Sequence, residues 1–159
     1  MKVLANLIEA HIFRKNENEI EFLLLKRAEG EIYPGLWQMV TGSIADENEK
    51  GFETALREIK EETGLVPDQF WVVPHINSFY WPERDCICTI PVFAALAASN
   101  FNVSISDEHS DFKWVSKEEA LRLLAWPGQR RSVEIIYEYF LMQKSFLNFV
   151  EIPLPKEKN

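Results

Sequence analysis

Apolar residues crowd positions 3–14 and 20–27, and the polar run Lys15-Asn16-Glu17-Asn18-Glu19 divides them, which predicts two strands joined by a turn. Residues 28–36 carry Gly30, Pro34 and Gly35 and read as a loop, after which Trp37–Val40 reads as a short strand leading into Gly42. The period then changes. Phe52, Ala55, Leu56 and Ile59 recur at helical spacing, so 50–63 is expected to be an amphipathic helix, stopped by Gly64. Two longer strands are expected at 70–80 and 86–97, separated by the turn Trp81-Pro82-Glu83-Arg84-Asp85, with Pro91 marking a bulge or an edge position in the second. Residues 99–110 are polar and read as a loop, and Phe112–Val115 reads as a short strand. Ser116 is placed to cap a helix that begins Lys117-Glu118-Glu119. Trp126-Pro127-Gly128 reads as a break before a helix over 129–147 that buries Val133, Ile136, Tyr137 and Phe140. Strands, a helix, strands and then helices imply a layered α+β or α/β domain over residues 1–152, followed by a frayed polar tail at 153–159.

A chain of 159 residues suits one domain with one sizeable core. Its formal net charge is −8 and it has no Lys/Arg-rich run, which argues against a surface that grips polymeric nucleic acid. A small phosphorylated ligand remains compatible, because bound cations bridge two negative partners. Cys86 and Cys88 stand one residue apart on an expected strand, so they share a face and read as reduced thiols, without zinc spacing. Asn6, Glu9 and His11 interrupt the first apolar run, so it does not read as a signal peptide, and no stretch is long and apolar enough to span a bilayer. The expected location is the cytoplasm.

The candidate chemistry lies in Gly42–Leu65, GSIADENEKGFETALREIKEETGL. On a helix Glu58, Glu61 and Glu62 sit at i, i+3 and i+4, so their carboxylates share a face beside the apolar stripe. Such like charges repel. Arg57 relieves part of the repulsion by reaching Glu53 and Glu61, and a hard divalent cation with oxygen ligands would relieve more. Mg²⁺ is the expected cofactor, with Mn²⁺ as an alternative. A bare E-x-x-E-E would read as a solvated acidic face. What changes that reading is the surrounding frame: Gly42 on a loop before the helix, Glu49 eight residues before Arg57, and Gly64-Leu65 closing the segment.

This frame resembles the signature of the Nudix hydrolases, G-x5-E-x7-R-E-U-x-E-E-x-G-U with U a bulky aliphatic residue. From Glu49 to Leu65 the match has no gap, whereas six residues rather than five separate Gly42 from Glu49. Either the loop carries an insertion, the reading preferred here, or Asn48 takes the glutamate's place. The resemblance implies an α/β/α sandwich in which a mixed sheet lies between helices and the signature forms loop–helix–loop. It implies that Glu58, Glu61 and Glu62, helped by the Gly42 carbonyl, bind metal, that Arg57 orients the glutamates, and that Glu49 braces the loop. The implied reaction is attack of water on phosphorus in a small nucleotide-like substrate. The base would be Glu61, Glu62 or a carboxylate outside the signature, for which Glu108 is the candidate.

Leu36-Trp37-Gln38-Met39-Val40-Thr41-Gly42-Ser43 is similar to the W-Q-x-V-T-G-S approach of the bacterial dihydroneopterin triphosphate pyrophosphatase branch, and Glu108-His109 with Phe112-Lys113-Trp114 is similar to its E-H and K-W segment. A pterin or purine triphosphate needs flat apolar surfaces and cations. Trp37, Tyr80 and Trp81 are candidates for the first, with Phe79, Trp114 and Trp126 behind them, and Arg27, Arg130 and Arg131 for the second. His75 and His109 read as structural or surface residues. A dinucleoside polyphosphate, a nucleotide sugar or a non-catalytic nucleotide sensor are the alternatives, and a homodimer is left open.

Overall fold

A computed structural model describes residues 1–142 and 144–155. Its strands are β1 (Lys2–Leu4), β2 (Leu7–Asn16), β3 (Glu19–Arg27), β4 (Trp37–Gln38), β5 (Val40–Ser43), β6 (Gln69–Trp81), β7 (Cys86–Leu96) and β8 (His109–Val115). Its α-helices are α1 (Gly51–Thr63), α2 (Lys117–Leu123) and α3 (Pro127–Leu141). The strands form one mixed sheet in which β7 lies parallel to β1 and β2 and antiparallel to β6.

Two apolar layers cover the sheet, and strand alternation assigns residues to them. Ile8, Ala10, Ile12, Leu23, Leu25 and Val40 face α1, where Ala55 and Ile59 complete a buried cluster. Phe13, Phe22, Leu24 and Met39 point the other way, against Val133, Ile136 and Phe140 of α3. This is the expected sandwich of helices on both faces of a mixed sheet.

What creates the site is a divergence between β2 and β3. They pair only from Phe13↔Phe22 to Asn16↔Glu19. Beyond that β2 pairs with β5, from Ala10↔Val40 to Leu7↔Ser43, while β3 pairs with β4 at Leu25↔Gln38. The β4–β5 segment thus wedges the sheet open, and the chain leaves the wedge at Gly42 directly into the loop before α1.

Several expectations are corrected. The 3–14 run is two strands, because the chain is drawn aside at Asn6, whose carbonyl accepts the Ile44 N–H at 2.8 Å, and β1 pairs with β7 instead of continuing β2. Trp37–Val40 is likewise two strands, β4 and β5. The bulge is carried by β6, between Val73 and Ile76, directly opposite the Pro91–Val92 step, with Pro91 pairing Ile76. Pro91 falls between the β1 pairing, which ends at Leu4↔Cys88, and the β2 pairing, which begins at Glu9↔Val92, where a missing N–H costs no ladder bond. β8 begins at His109 rather than Phe112.

The last helix starts two residues early, since Pro127 suits a first helical position, and it ends at Leu141. A 3₁₀ segment (Lys144–Phe149) follows, and residue 143 of the expected 129–147 helix lies outside the described residues. The chain does not fray at 153. Val72 N–H donates to the Val150 carbonyl and Ile152 N–H to that of Phe70, so this segment covers the β6 edge and Leu154 packs on the α1-side core. Residues 156–159 of the expected tail lie outside the described residues. Ser116 caps α2 as expected, accepting the Glu119 N–H at 3.2 Å, and Cys86 and Cys88 are free and buried.

Candidate active site

Local chemistry fixes both ends of α1. The Glu53 carboxylate accepts the Lys50 N–H at 2.9 Å. Gly64 closes the helix in the left-handed region at φ 79°, its N–H donating to the Lys60 carbonyl. The loop before β8 then grips the same end, with Ser104 N–H on the Thr63 carbonyl and Ser106 N–H on that of Glu62. The apolar stripe seats α1 on the sheet with Ile59 fully buried, which leaves the glutamates along the margin over the β4–β5 wedge.

Arg57 organises one half of the site. Its Nε and Nη2 donate to the two carboxylate oxygens of Glu49 at 2.8 and 3.2 Å, a bidentate pair. Its Nη1 donates to Glu58 Oε1 at 2.9 Å and lies 3.4 Å from Glu61 Oε2, while Nη2 also reaches the Ser43 carbonyl at 3.2 Å. Glu49 in turn accepts the Ala45 N–H at 3.1 Å, closing the loop on itself. The arginine and this N–H hold the Glu49 carboxyl down to about 2. Glu49, not Asn48, is the residue that meets Arg57, so the additional loop residue lies ahead of it.

Gly42 lies against Glu58. A Cβ on Gly42 would fall 2.3 Å from Glu58 Cγ, so no side chain fits there. Glu58 is half-buried, and burial first, then Glu61 and Glu108, push its carboxyl up despite the Arg57 contact.

Glu62 is the deepest of the three, 3 % exposed. Its Oε2 is buried without a hydrogen-bond partner among the described residues. Burial, then the charges of Glu58 and Glu108, push its carboxyl up to about 9, against the opposing pull of Arg27 and the Thr41 N–H. Glu108 is exposed, sits at the start of β8, and is close enough for its charge to be felt by both glutamates.

Behind Glu62 lies a polar group the sequence reading did not assign to the site. His109, 5 % exposed, has Nε2 3.7 Å from Glu62 Oε1 and 3.4 Å from the Gln38 side-chain nitrogen. Gln38 Oε1 accepts from Arg27 Nη1 at 3.2 Å. Arg27 therefore lies behind the glutamates, and it also holds the 28–36 loop through the Ile32 carbonyl and Glu31. Gln38 was legible as part of the Trp37–Ser43 resemblance and His109 as part of the Glu108-His109 pair, but neither was given a role in the site.

The remaining candidates lie elsewhere. Trp37 packs on the α3-side core with the Lys113 ammonium 4.7 Å from its ring. Tyr80 hydrogen-bonds Asp85 at 3.0 Å and Trp81 stacks under Arg84 at the β6–β7 tip. Arg130 donates to the Leu124 and Ala125 carbonyls, tying α2 to α3, and Arg131 pairs with Glu134. Trp126 meets Tyr33 edge-on at 5.8 Å.

The donors suit a hard divalent cation. They are carboxylate and carbonyl oxygens, one buried carboxylate oxygen lacks a partner, and Glu62 needs a nearby positive charge to ionise at neutral pH. Among the described residues no three acidic, imidazole or thiol groups already converge on a common point, because Glu58 and Glu61 turn to Arg57. The expected metal trio is thus a set that has to be drawn together, not a preformed cage.

Acidic side chains gathered on a loop–helix at the mouth of a split mixed sheet define a phosphoanhydride hydrolase. The NUDIX domain model matches residues 7–135, and the chain belongs to this family, whose members generally use a divalent metal ion. It is 29% identical over 127 residues to the bis(5'-nucleosyl)-tetraphosphatase (asymmetrical) of Mus musculus, covering 78% of this chain and 84% of that one. It is 28% identical over 111 residues to the nucleoside triphosphatase NudI of Salmonella paratyphi B, covering 65% and 78%. A Nudix hydrolase structure from Listeria monocytogenes superposes with a TM-score of 0.75 at 26% identity, covering 94% of this chain and all of that one. No helix among the described residues is long and apolar enough to cross a membrane.

Proposed function

We propose that this protein hydrolyses a (deoxy)nucleoside triphosphate or dihydroneopterin triphosphate to the monophosphate and pyrophosphate, with Mg²⁺ held by Glu58, Glu61, Glu62 and the Gly42 carbonyl. The observation that carries this reading is the closeness of Gly42 to Glu58, which leaves no room for a Cβ, beside a buried Glu62 oxygen with no partner. When bound, the cation supplies neutralisation of phosphate charge and a lowered pKa for water. The chain's own residues do the rest. Arg57 sets the direction of Glu58 and Glu61, and Glu49 anchors Arg57 and the loop. Glu108, exposed and within electrostatic reach of Glu58 and Glu62, accepts the proton of the attacking water on a carboxylate oxygen. The pyrophosphate leaves as the phosphorus–oxygen bond to the bridging oxygen breaks.

The choice of triphosphate rests on the Trp37–Ser43 and Glu108–Trp114 resemblances and on the similarity to a nucleoside triphosphatase. Trp126 and Tyr33, paired and exposed, offer an aromatic surface for a flat ring, and Tyr33 adjoins Ile32, whose carbonyl Arg27 holds. A second reading, cleavage of a dinucleoside tetraphosphate, is favoured by the 29% identity to the mouse tetraphosphatase. A panel of dATP, GTP, dihydroneopterin triphosphate and diadenosine tetraphosphate, incubated with Mg²⁺ and analysed by chromatography for mono- and triphosphate products as well as pyrophosphate, separates them. Pyrophosphate from the triphosphates is expected. Turnover of the dinucleotide alone replaces the first reading with the second, and turnover of none overturns both.

A further inference from the structure

We propose that His109 is the positioning residue of this site: held by Gln38, which is held by Arg27, it walls in Oε1 of Glu62 and leaves Oε2 as the oxygen presented to the cation. This rests on the reading of Glu62 as a metal ligand.

The geometry fixes each member in turn. Arg27 only donates, so the Gln38 atom that faces Nη1 at 3.2 Å is its carbonyl oxygen. The amide nitrogen of Gln38 then faces His109 and, as a donor, points a hydrogen at Nε2 across 3.4 Å. Nε2 is therefore the bare nitrogen, and the proton sits on Nδ1, which is buried without a hydrogen-bond partner among the described residues. The imidazole has no freedom to turn away, being 5 % exposed and bound into the β8 register, where His109 pairs with Arg27. Its Nε2 stands 3.7 Å from Glu62 Oε1, while Oε2 is buried and has no partner among the described residues. A glutamate on a helix margin has several rotamers, and fixing one before the ligand arrives lowers the ordering cost of binding. Neighbours that orient metal-binding carboxylates and imidazoles commonly carry 10- to 100-fold of affinity.

Arg27 gives the arrangement a reach beyond one side chain. The same guanidinium binds the Ile32 carbonyl and Glu31, so the 28–36 loop and the glutamate share one anchor. Arg27 consequently acts behind the carboxylates instead of as a free cation for phosphate.

The test measures Mn²⁺ binding to metal-free protein by electron paramagnetic resonance, in the absence of substrate, for wild type, H109F, Q38L and E62Q. H109F keeps the ring volume and removes both nitrogens, and about tenfold weaker Mn²⁺ binding is expected. H109F within twofold of wild type, while E62Q loses binding, overturns the positioning role and leaves the metal site standing. E62Q within twofold of wild type overturns the metal assignment and the positioning role together. If H109F does not fold, Q38L decides by the same criterion. The nitrogen spectrum of the wild-type imidazole gives an independent reading that simple packing would not set. A protonated Nδ1 with a bare Nε2 is expected, and a proton on Nε2 overturns the proposal.

Discussion

Gly42 and Glu58 come from opposite ends of the loop and meet so closely that a Cβ on the first would lie 2.3 Å from Cγ of the second. The contact joins the sheet wedge to α1 at one point. G42A forces Glu58 outward or the β5 end downward, either of which changes the distance between Gly42 and the Glu58 carboxylate. A loss of about 10- to 100-fold in kcat/KM is expected, with Mn²⁺ affinity falling in parallel. Wild-type kinetics in G42A would show that this approach does not matter to the reaction.

The Arg57–Glu49 pair is bidentate at 2.8 and 3.2 Å, and Arg57 has a further hydrogen available for Glu58. Lysine cannot reproduce that fork. R57K should lower kcat by about tenfold or more while the melting temperature moves by only a few degrees. A melting loss that accounts for the whole activity loss would make Arg57 a purely structural residue.

Glu62 sets a pH dependence whose sign is definite. Its carboxyl is near 4.5 in an unfolded chain and about 9 in the folded, metal-free protein. Between those values the folded state holds a proton that the unfolded state has released. Stability is therefore fully present below the lower value and declines as pH rises towards the upper one, by about 1.4 kcal/mol per pH unit at most. Urea unfolding in chelator should weaken between about pH 5.5 and 8.5, and Mg²⁺ should restore most at the alkaline end. A flat profile in chelator would place Glu62 in contact with solvent.

A second buried carboxylate, Glu9, lies beneath α3. It accepts from Ser132 at 2.8 Å and from Asn77 at 3.2 Å and pairs with His11 at 2.9 Å. Burial alone would raise its carboxyl, but these partners outweigh burial and hold it below the usual range. E9A strands His11, Ser132 and Asn77 in the interior, so a loss of about 3 kcal/mol or more in urea unfolding is expected, with Mn²⁺ affinity unchanged. Lost metal affinity without lost stability would move Glu9 into the site.

The carboxylate trio was readable from the chain, because Glu58, Glu61 and Glu62 stand at helical spacing on a segment whose apolar stripe and closing glycine are local signals. The same locality made Ser116 legible as a cap. Backbone geometry alone puts such residues on one helix face, whatever surrounds the helix. Arg27 was expected to contact phosphate, whereas its guanidinium bonds Gln38, and Gln38 and His109 were given no role in the site. Their positions depend on β3 pairing with β4 and β8, a register between segments far apart in sequence. The splitting of the first apolar run into β1 and β2 has the same origin, since Lys2–Leu4 pairs with residues 86–88. Periodicity along a chain fixes which face a side chain takes within its own element. Which elements lie side by side is decided by long-range packing and by where buried polar groups find partners, and that only the tertiary structure supplies.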